Sequence, residues 1–135
     1  MEQENRRILL VEDDIEMHHV FDGIIHDIDT KIQVDWVSSA EAALKRLEEA
    51  GHMSGATPYE LIVSDIFLDG KTTGIDLWNL CQRVYPTMPM VVMSGLPLHK
   101  FVDFVGSRAG CPPYIQKPLR VPHCRALLQE MLAER

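Results

Sequence analysis

Apolar residues in this chain follow two alternating patterns from about residue 8 to about residue 132. Short apolar runs or period-two alternations, typical of strands, predict strands at 8–11, 31–36, 61–63, 90–93 and 114–116. Between them, apolar residues recur at the spacing of amphipathic helices. Five strands alternating with five helices predict an α/β fold, a doubly wound parallel sheet with helices on both faces.

The predicted helices have recognisable boundaries. Ser38 and Glu41 predict a capping box for the second helix, Gly51 predicts its end, and a loop is expected at 52–58. The third helix should stop before Pro86, and Pro97 suits the first turn of the fourth. Core positions are expected at Met17, Val20, Phe21, Ile24, Ile25, Ile28, Leu77, Leu80, Cys81, Val84, Phe101, Val102, Val105, Leu127, Leu128, Met131 and Leu132.

The second strand differs from the others because apolar Ile32, Val34 and Trp36 alternate with polar residues. Its polar positions are Lys31, Gln33 and Asp35. This alternation is typical of a half-exposed strand, so the strand is predicted at an edge of the sheet.

Charged and hydroxyl residues come directly after the strands: Glu12, Asp13 and Asp14 after the first, Asp65 at the end of the third, Ser94 at the end of the fourth, and Lys117 after the fifth. Ligands of open parallel sheets bind beyond the carboxyl ends of the strands, so these groups should converge. Asp14 is instead expected to serve the start of a helix, where an acid suits the dipole.

Carboxylates brought this close together cannot all ionise easily, and a hard divalent cation such as Mg²⁺ removes the repulsion. Lys117 adds a compact positive charge, and Ser94 adds a hydroxyl that can donate to a phosphoryl oxygen. A carboxylate nucleophile, a metal site, a cation and a hydroxyl are the parts that phosphoryl transfer requires. The sequence therefore indicates phosphoryl chemistry at Asp65.

Four segments, ILLVEDD, LIVSD, VVMSG and YIQKP, resemble the signatures of the response-regulator receiver domain of two-component signalling, in the family's order. The resemblance covers about Arg6 to Leu132, and a single receiver domain is expected over 1–135. It implies a flavodoxin-like sheet of strand order 2-1-3-4-5.

The resemblance also implies a metal site. Asp65 would be the phosphoacceptor, and Glu12 and Asp13 the acidic pair. Asp13 would bind Mg²⁺ directly, and Glu12 would act partly through water. The backbone carbonyl of Phe67 would complete the protein's share of the ligands.

On the same grounds, Ser94 would follow the phosphoryl group and Lys117 would bind it, with a cis peptide bond between Lys117 and Pro118. Tyr114 would be an aromatic rotamer switch that turns inward on phosphorylation. The surface of the fourth helix, fifth strand and fifth helix would change with it.

Two departures from the family pattern stand out. Gly74 lies nine residues after Asp65 instead of eight, and no proline lies between, which indicates one inserted residue within 69–73. The run Gly110-Cys111-Pro112-Pro113 before Tyr114 is also unusual for the family.

The function implied is a regulatory switch, not an enzyme. A histidine kinase or a histidine phosphotransfer protein would donate the phosphoryl group, and a downstream effector protein would read the result. Because Phe67 and Leu96 are apolar and flank the site in sequence, they should limit access of water and prolong the phosphorylated state.

Three other functions are compatible with the same pattern of strands and helices. A phosphorylation-independent interaction module with a receiver fold would not need the site residues. A flavodoxin-like cofactor binder would need a glycine- and hydroxyl-rich loop after the first strand, where Glu12 and its acidic neighbours would repel phosphate. An aspartyl-phosphate phosphatase would need an aspartate at position 67, where Phe67 stands.

The composition limits the partners and the cell compartment that are expected for this protein. A net charge of −7 over 135 residues disfavours nonspecific binding to nucleic acid or anionic membranes. Three scattered cysteines and no signal-peptide pattern predict a reduced, cytoplasmic protein. With no room for an output domain, the chain is expected to be a stand-alone receiver or one excised from a larger regulator.

Overall fold

The computed structural model of the chain describes residues 6–54, 59–68, 70–106 and 110–133. Within them, strands β1 (Arg7–Val11), β2 (Gln33–Val37), β3 (Leu61–Asp65), β4 (Met90–Ser94) and β5 (Tyr114–Gln116) form one sheet. They alternate with helices α1 (Ile15–Ile28), α2 (Ala40–Ser54), α3 (Gly74–Val84), α4 (Leu98–Val105) and α5 (Val121–Ala133). The strand order is β2-β1-β3-β4-β5 and every pairing is parallel, which confirms the predicted flavodoxin-like fold.

The three inner strands explain why the chain folds this way. Every residue of β3 and β4 is buried, and so are Ile8–Val11 of β1. Such strands cannot leave either face in water, so helices cover both faces. One core lies between the sheet and α2, α3 and α4, and a second lies between the sheet and α1 and α5. No helix in the described part of the chain is both long enough and apolar enough to cross a bilayer.

Strand β2 lies at the sheet edge as predicted, but the expectation that Asp35 faces solvent is wrong. Asp35 is 8% exposed and accepts hydrogen bonds from Tyr59 and Gln33. Burial would raise the pKa of Asp35, but these hydrogen bonds and the charges of Arg7 and Arg46 together hold it below its ordinary value. The partners compensate for burying a charge, which an alternating pattern alone cannot reveal.

Helix α2 also departs from the sequence prediction. It runs through Gly51 to Ser54, so the predicted end at Gly51 is wrong and helix replaces the first part of the loop expected at 52–58; residues 55–58 lie outside the described residues. The cap is Ser39, whose hydroxyl accepts a hydrogen bond from the amide of Ala42. The capping box predicted at Ser38 and Glu41 is therefore wrong: the cap lies one residue later, and Ala42 has no side chain that could bond back to it.

Two predicted core positions lie at the surface. Val20 is 40% exposed on α1, and Val84 is 55% exposed in the last turn of α3. Both stand at the margin of the apolar stripe of their helix. The other inward positions are buried or half-buried.

Gly74 begins α3 at a point where the backbone passes very close to the end of β3. Its amide donates to the carbonyl of Ile66 at 2.8 Å. A capping box between Thr73 and Asp76 closes the same turn, with both reciprocal hydrogen bonds formed. The inserted residue is therefore absorbed before Thr73, and the glycine keeps its place against the end of β3.

We expect Gly74→Ala to destabilise the fold by about 1–3 kcal/mol in urea unfolding. The new Cβ would overlap the carbonyl oxygen of Asp65 and lie 2.9 Å from the Cα of Ile66, and backbone atoms cannot move aside as a flexible side chain can. The matched control is Gly23→Ala on α1, where nothing lies within 4 Å of the new Cβ. The control should be neutral or stabilising by up to about 1 kcal/mol. Equal stability of the two variants would contradict the close approach.

Candidate functional site

Backbone hydrogen bonds fix the strand-end residues at one edge of the sheet. The amide of Glu12 donates to the carbonyl of Val37 at 3.0 Å, so the chain leaves β1 in register with β2. The amide of Lys117 donates to the carbonyl of Ser94 at 2.8 Å, which continues the β4–β5 pairing by one residue. Because these strands are parallel, their ends deliver the side chains to a common place.

Three carboxylates meet at this edge. Glu12, Asp13 and Asp65 each offer an oxygen, and these oxygens all lie within 4.8 Å of one another. Glu12 is 1% exposed and Asp65 7% exposed, whereas Asp13 faces solvent. The predicted convergence of these three residues is therefore found.

The ammonium of Lys117 lies between two of these carboxylates. Its Nζ donates to Oε1 of Glu12 at 3.1 Å and to Oδ2 of Asp65 at 2.9 Å. Burial would lower the pKa of Lys117, but hydrogen bonds and charge from Asp65 and Glu12 outweigh it and raise the pKa above its ordinary value. Lys117 is therefore a permanent cation at neutral pH.

One positive charge does not balance three acids. Burial, and then the charge of Asp65, raise the pKa of Glu12 to about 7 although Lys117 opposes the change. At neutral pH the cluster thus holds more negative charge than its surroundings stabilise. A cation added to it would lower its free energy.

The donor set suits a hard divalent cation. Carboxylate oxygens are the ligands that Mg²⁺ prefers, and it usually takes one or two of them while keeping waters. Glu12 is held by Lys117 and by the amide of Asp14 at 3.1 Å. Asp13 is exposed and has no hydrogen-bond partner among the described residues, so its oxygens are free to bind an ion.

The other carboxyl oxygen of Asp65 connects to the loop after β3. Oδ1 of Asp65 accepts a hydrogen bond from the amide of Phe67 at 3.3 Å. This bond places Phe67 beside the carboxylate, where its own carbonyl was expected as a metal ligand. The same loop reaches α2 further along the chain. Hydrogen bonds from its own amide, from the hydroxyl and amide of Thr72 and from the amide of Lys71 lower the pKa of Glu41 on α2.

Ser94 lies at the same edge, but its hydroxyl is bound to Tyr114. The two hydroxyl oxygens are 2.6 Å apart, and Oγ of Ser94 also accepts from the amide of Leu96 at 3.1 Å. The Tyr114 hydroxyl lies 2.7 Å from the carbonyl of Leu96, and its ring stacks on Phe101 of α4 at 3.9 Å. Tyr114 therefore lies inward, against Ser94.

Several contacts around the site were not predicted. The indole of Trp36 donates to the carbonyl of Glu12 at 2.6 Å, and His18 stacks on the same indole at 4.8 Å. The alternating pattern places Trp36 in an edge strand, and no spacing in the sequence connects it to Glu12. Asp14 caps α1 through the amide of Glu16, as expected for an acid at a helix start.

The bond between Lys117 and Pro118 is cis, as the sequence resemblance implied. The amino-acid sequence also agrees with this architecture over nearly its whole length. The family model described as "Response regulator receiver domain" matches residues 8–129. The chain belongs to this family.

Solved structures of other receivers share the fold. The receiver domain of NtrX from Brucella abortus is 22% identical, with a TM-score of 0.73 over 95% of this chain and 99% of that one. The signal receiver domain of an HD domain-containing protein from Pseudomonas fluorescens is 17% identical, with a TM-score of 0.74 over 99% and 91%. A receiver domain protein from Clostridium thermocellum is 15% identical, with a TM-score of 0.74 over 96% and 95%. A comparison with curated proteins finds no match.

The receiver site has a consequence for stability without added metal. Because the folded-state pKa of Glu12, about 7, lies above its ordinary value of 4.5, the folded protein holds this proton more tightly than the unfolded chain. The stability that this proton contributes is therefore fully present below pH 4.5, and it is lost as the pH rises through the folded-state pKa of about 7. The loss should be on the order of 2 kcal/mol.

We expect Glu12→Gln to remove most of this pH dependence in thermal unfolding with a chelator, and Mg²⁺ to restore the stability of the unmodified protein at pH 7.5 or above. Asp14→Asn is the matched control, because it removes one nearby charge and keeps a capping residue. If the control flattens the profile as much as Glu12→Gln, the dependence does not come from Glu12.

Proposed function

We propose that this receiver domain is a phosphoacceptor in which Asp65 takes a phosphoryl group from a phosphohistidine of a partner protein. The observation that carries the proposal is the Lys117 ammonium held between the carboxylates of Glu12 and Asp65, with Asp13 beside them. A nucleophile, a cation and free metal ligands then stand together at an edge open to a partner. The partner would be a histidine kinase or a histidine phosphotransfer protein.

In the proposed reaction, a carboxylate oxygen of Asp65 attacks the phosphorus in line with the phosphorus–nitrogen bond. That bond breaks, and the imidazole leaves with its electron pair and takes up a proton. Nζ of Lys117 lies 2.9 Å from Oδ2 of Asp65. It is therefore close enough to bind the oxygens of the transferred phosphoryl group and to neutralise their charge. Such charge neutralisation supplies much of the catalysis in phosphoryl transfer.

The metal centre would be formed by Asp13, Asp65 and the carbonyl of Phe67, with Glu12 acting partly through water. Mg²⁺ bound there would neutralise phosphoryl oxygens and orient them. The chain's own part is to hold Glu12 through Lys117 and the Asp14 amide, so that the exposed carboxylate of Asp13 is left for the ion.

Ser94 and Tyr114 would carry the signal away from Asp65. Oγ of Ser94 cannot give its proton to Tyr114 and to a phosphoryl oxygen at once. When Ser94 turns to the phosphoryl group, Tyr114 keeps the carbonyl of Leu96 as its acceptor and the stack on Phe101. The hydrogen bond between Ser94 of β4 and Tyr114 of β5 would therefore depend on the state of Asp65.

The surface read by an effector protein would be that of α4, β5 and α5. A cavity of about 570 Å³ opens there, next to Tyr114, and Lys117 also lines it. Its remaining lining residues are Ile115, Gln116, Pro118, Arg120, His123, Cys124 and Leu127. We place the protein in the cytoplasm, since Cys81, Cys111 and Cys124 are free thiols.

The direct test of the phosphoacceptor is incubation with Mg²⁺ and acetyl phosphate or a phosphohistidine donor, followed by mass spectrometry. We expect an acid-stable, base-labile phosphoryl adduct that disappears in Asp65→Asn. Asp14→Asn is the control, because it removes a carboxylate near the site without touching the proposed nucleophile.

An adduct that persists in Asp65→Asn would contradict the assignment of the nucleophile. The second candidate, a module that works without phosphorylation, would be favoured if no adduct forms and Asp65→Asn binds the effector as tightly as the unmodified chain. The presence of all the site residues disfavours it.

The proposed switch predicts that Ser94→Ala separates phosphorylation from signalling. With beryllofluoride as the phosphoryl mimic, the ring resonances of Tyr114 should shift in the unmodified protein, because Ser94 leaves its hydroxyl. In Ser94→Ala the mimic should still bind at Asp65, but the Tyr114 shift should be largely lost. Ser38→Ala, at an exposed position, should behave as the unmodified protein. An equal Tyr114 shift in Ser94→Ala would refute the relay.

A further inference from the structure

Two aromatic rings touch each other at the surface beside the phosphoacceptor. The ring centroids of Phe67 and Phe104 lie 5.5 Å apart with an interplanar angle of 58°, within the range of favourable tilted pairs. Phe67 is 50% exposed and Phe104 45% exposed, so neither is part of the core. The contact joins the loop after β3 to α4, two parts of the chain that lie far apart in sequence.

On the loop side, the contact is made by Phe67, two residues after Asp65. The preceding residue, Ile66, is fixed to the sheet, since its amide donates to the carbonyl of Met93 and its carbonyl accepts from Gly74, both at 2.8 Å. Phe67 is held by one longer bond of its amide to Asp65, at 3.3 Å. The position of its ring is therefore set largely by what the ring touches.

On the other side, the contact is made by Phe104 of α4, a helix with one buried side chain and no side-chain cap. Helix α4 has eight residues, and its N-cap, Pro97, makes no side-chain capping hydrogen bond. Among its side chains only Phe101 is fully buried, and that ring stacks on Tyr114. Two rings of α4 thus contact residues around the site: Phe101 stacks on Tyr114, and Phe104 packs on Phe67.

We propose that Phe104 is a positioning residue for the aspartyl phosphate: it holds the Phe67 ring at the side of Asp65 and so slows hydrolysis. In that hydrolysis a water oxygen bonds to phosphorus, the bond from phosphorus to the Asp65 oxygen breaks, and inorganic phosphate leaves. A ring held in place excludes water from part of its approach to phosphorus all the time, whereas a freely rotating ring excludes it for only part of the time. The proposal rests on the function of Asp65 proposed above.

The same contact makes the lifetime of the phosphorylated state sensitive to α4. A protein that binds α4 and moves Phe104 would change the rate at which Asp65 loses its phosphoryl group. By linkage, a change at Asp65 that displaces the Phe67 ring would alter the binding of the same protein to α4 by the same factor.

The test compares first-order loss of the phosphoryl adduct, followed by mass spectrometry after the donor is removed. Phe104→Ala should lose it faster by about two- to tenfold, the range that corresponds to one aromatic pair. Leu98→Ala is the matched control, since Leu98 lies on the same helix and is 60% exposed. The control should decay at the unmodified rate.

A double-mutant cycle separates positioning from a general effect on stability. If Phe104 acts through Phe67, Phe104→Ala should have no further effect on the decay in a Phe67→Ala background. Additive effects, or a Phe104→Ala decay equal to that of the unmodified protein, would overturn the proposal. Phe104→Leu provides the comparison if the alanine variant does not fold, and it should retain part of the slowing.

Loss of the phosphoacceptor function and loss of the positioning role would give different results. If the unmodified protein never gains the adduct, the phosphoacceptor function itself is wrong and the positioning role falls with it. If the adduct forms and decays at the same rate with and without Phe104, only the positioning role is wrong.

Discussion

The site depends on mutual repulsion among carboxylates that the fold forces together. Glu12 and Asp65 are nearly buried at adjacent strand ends, and a single ammonium, that of Lys117, lies between them. Burial, and then the charge of Asp65, raise the pKa of Glu12 to about 7, because the cluster holds net negative charge away from solvent. A divalent cation bound there would offset the negative charge of the cluster.

Close backbone packing and one committed hydroxyl shape the surroundings of Asp65. Gly74 is needed because α3 starts against the carbonyl of Asp65, and Thr73 with Asp76 closes the turn that brings it there. On the other side, the Ser94 hydroxyl is committed to Tyr114 and must exchange partners to serve a phosphoryl group. The site is therefore rigid where the carboxylates are held and exchangeable where the signal would leave.

Much of this was predictable because strand ends are easy to recognise in a parallel fold. Apolar runs predicted β1, β3 and β4, and because the strands are parallel their carboxyl ends bring Glu12, Asp13, Asp65 and Lys117 to one edge. The environment of Asp35 was not predictable, since its partners come from three distant places in the chain. The pairing of Phe67 with Phe104 was equally hidden, because two exposed rings leave no periodic signal.

The central claim is that the carboxylates share one divalent cation, and calorimetric titration with Mg²⁺ at pH 7 tests it most directly. Run in two buffers of different ionisation enthalpy, the titration should show binding with partial release of a proton from Glu12, whose pKa is about 7. Asp13→Asn should weaken the binding strongly. Absence of binding heat in both buffers, or equal affinity in Asp13→Asn, would contradict the account.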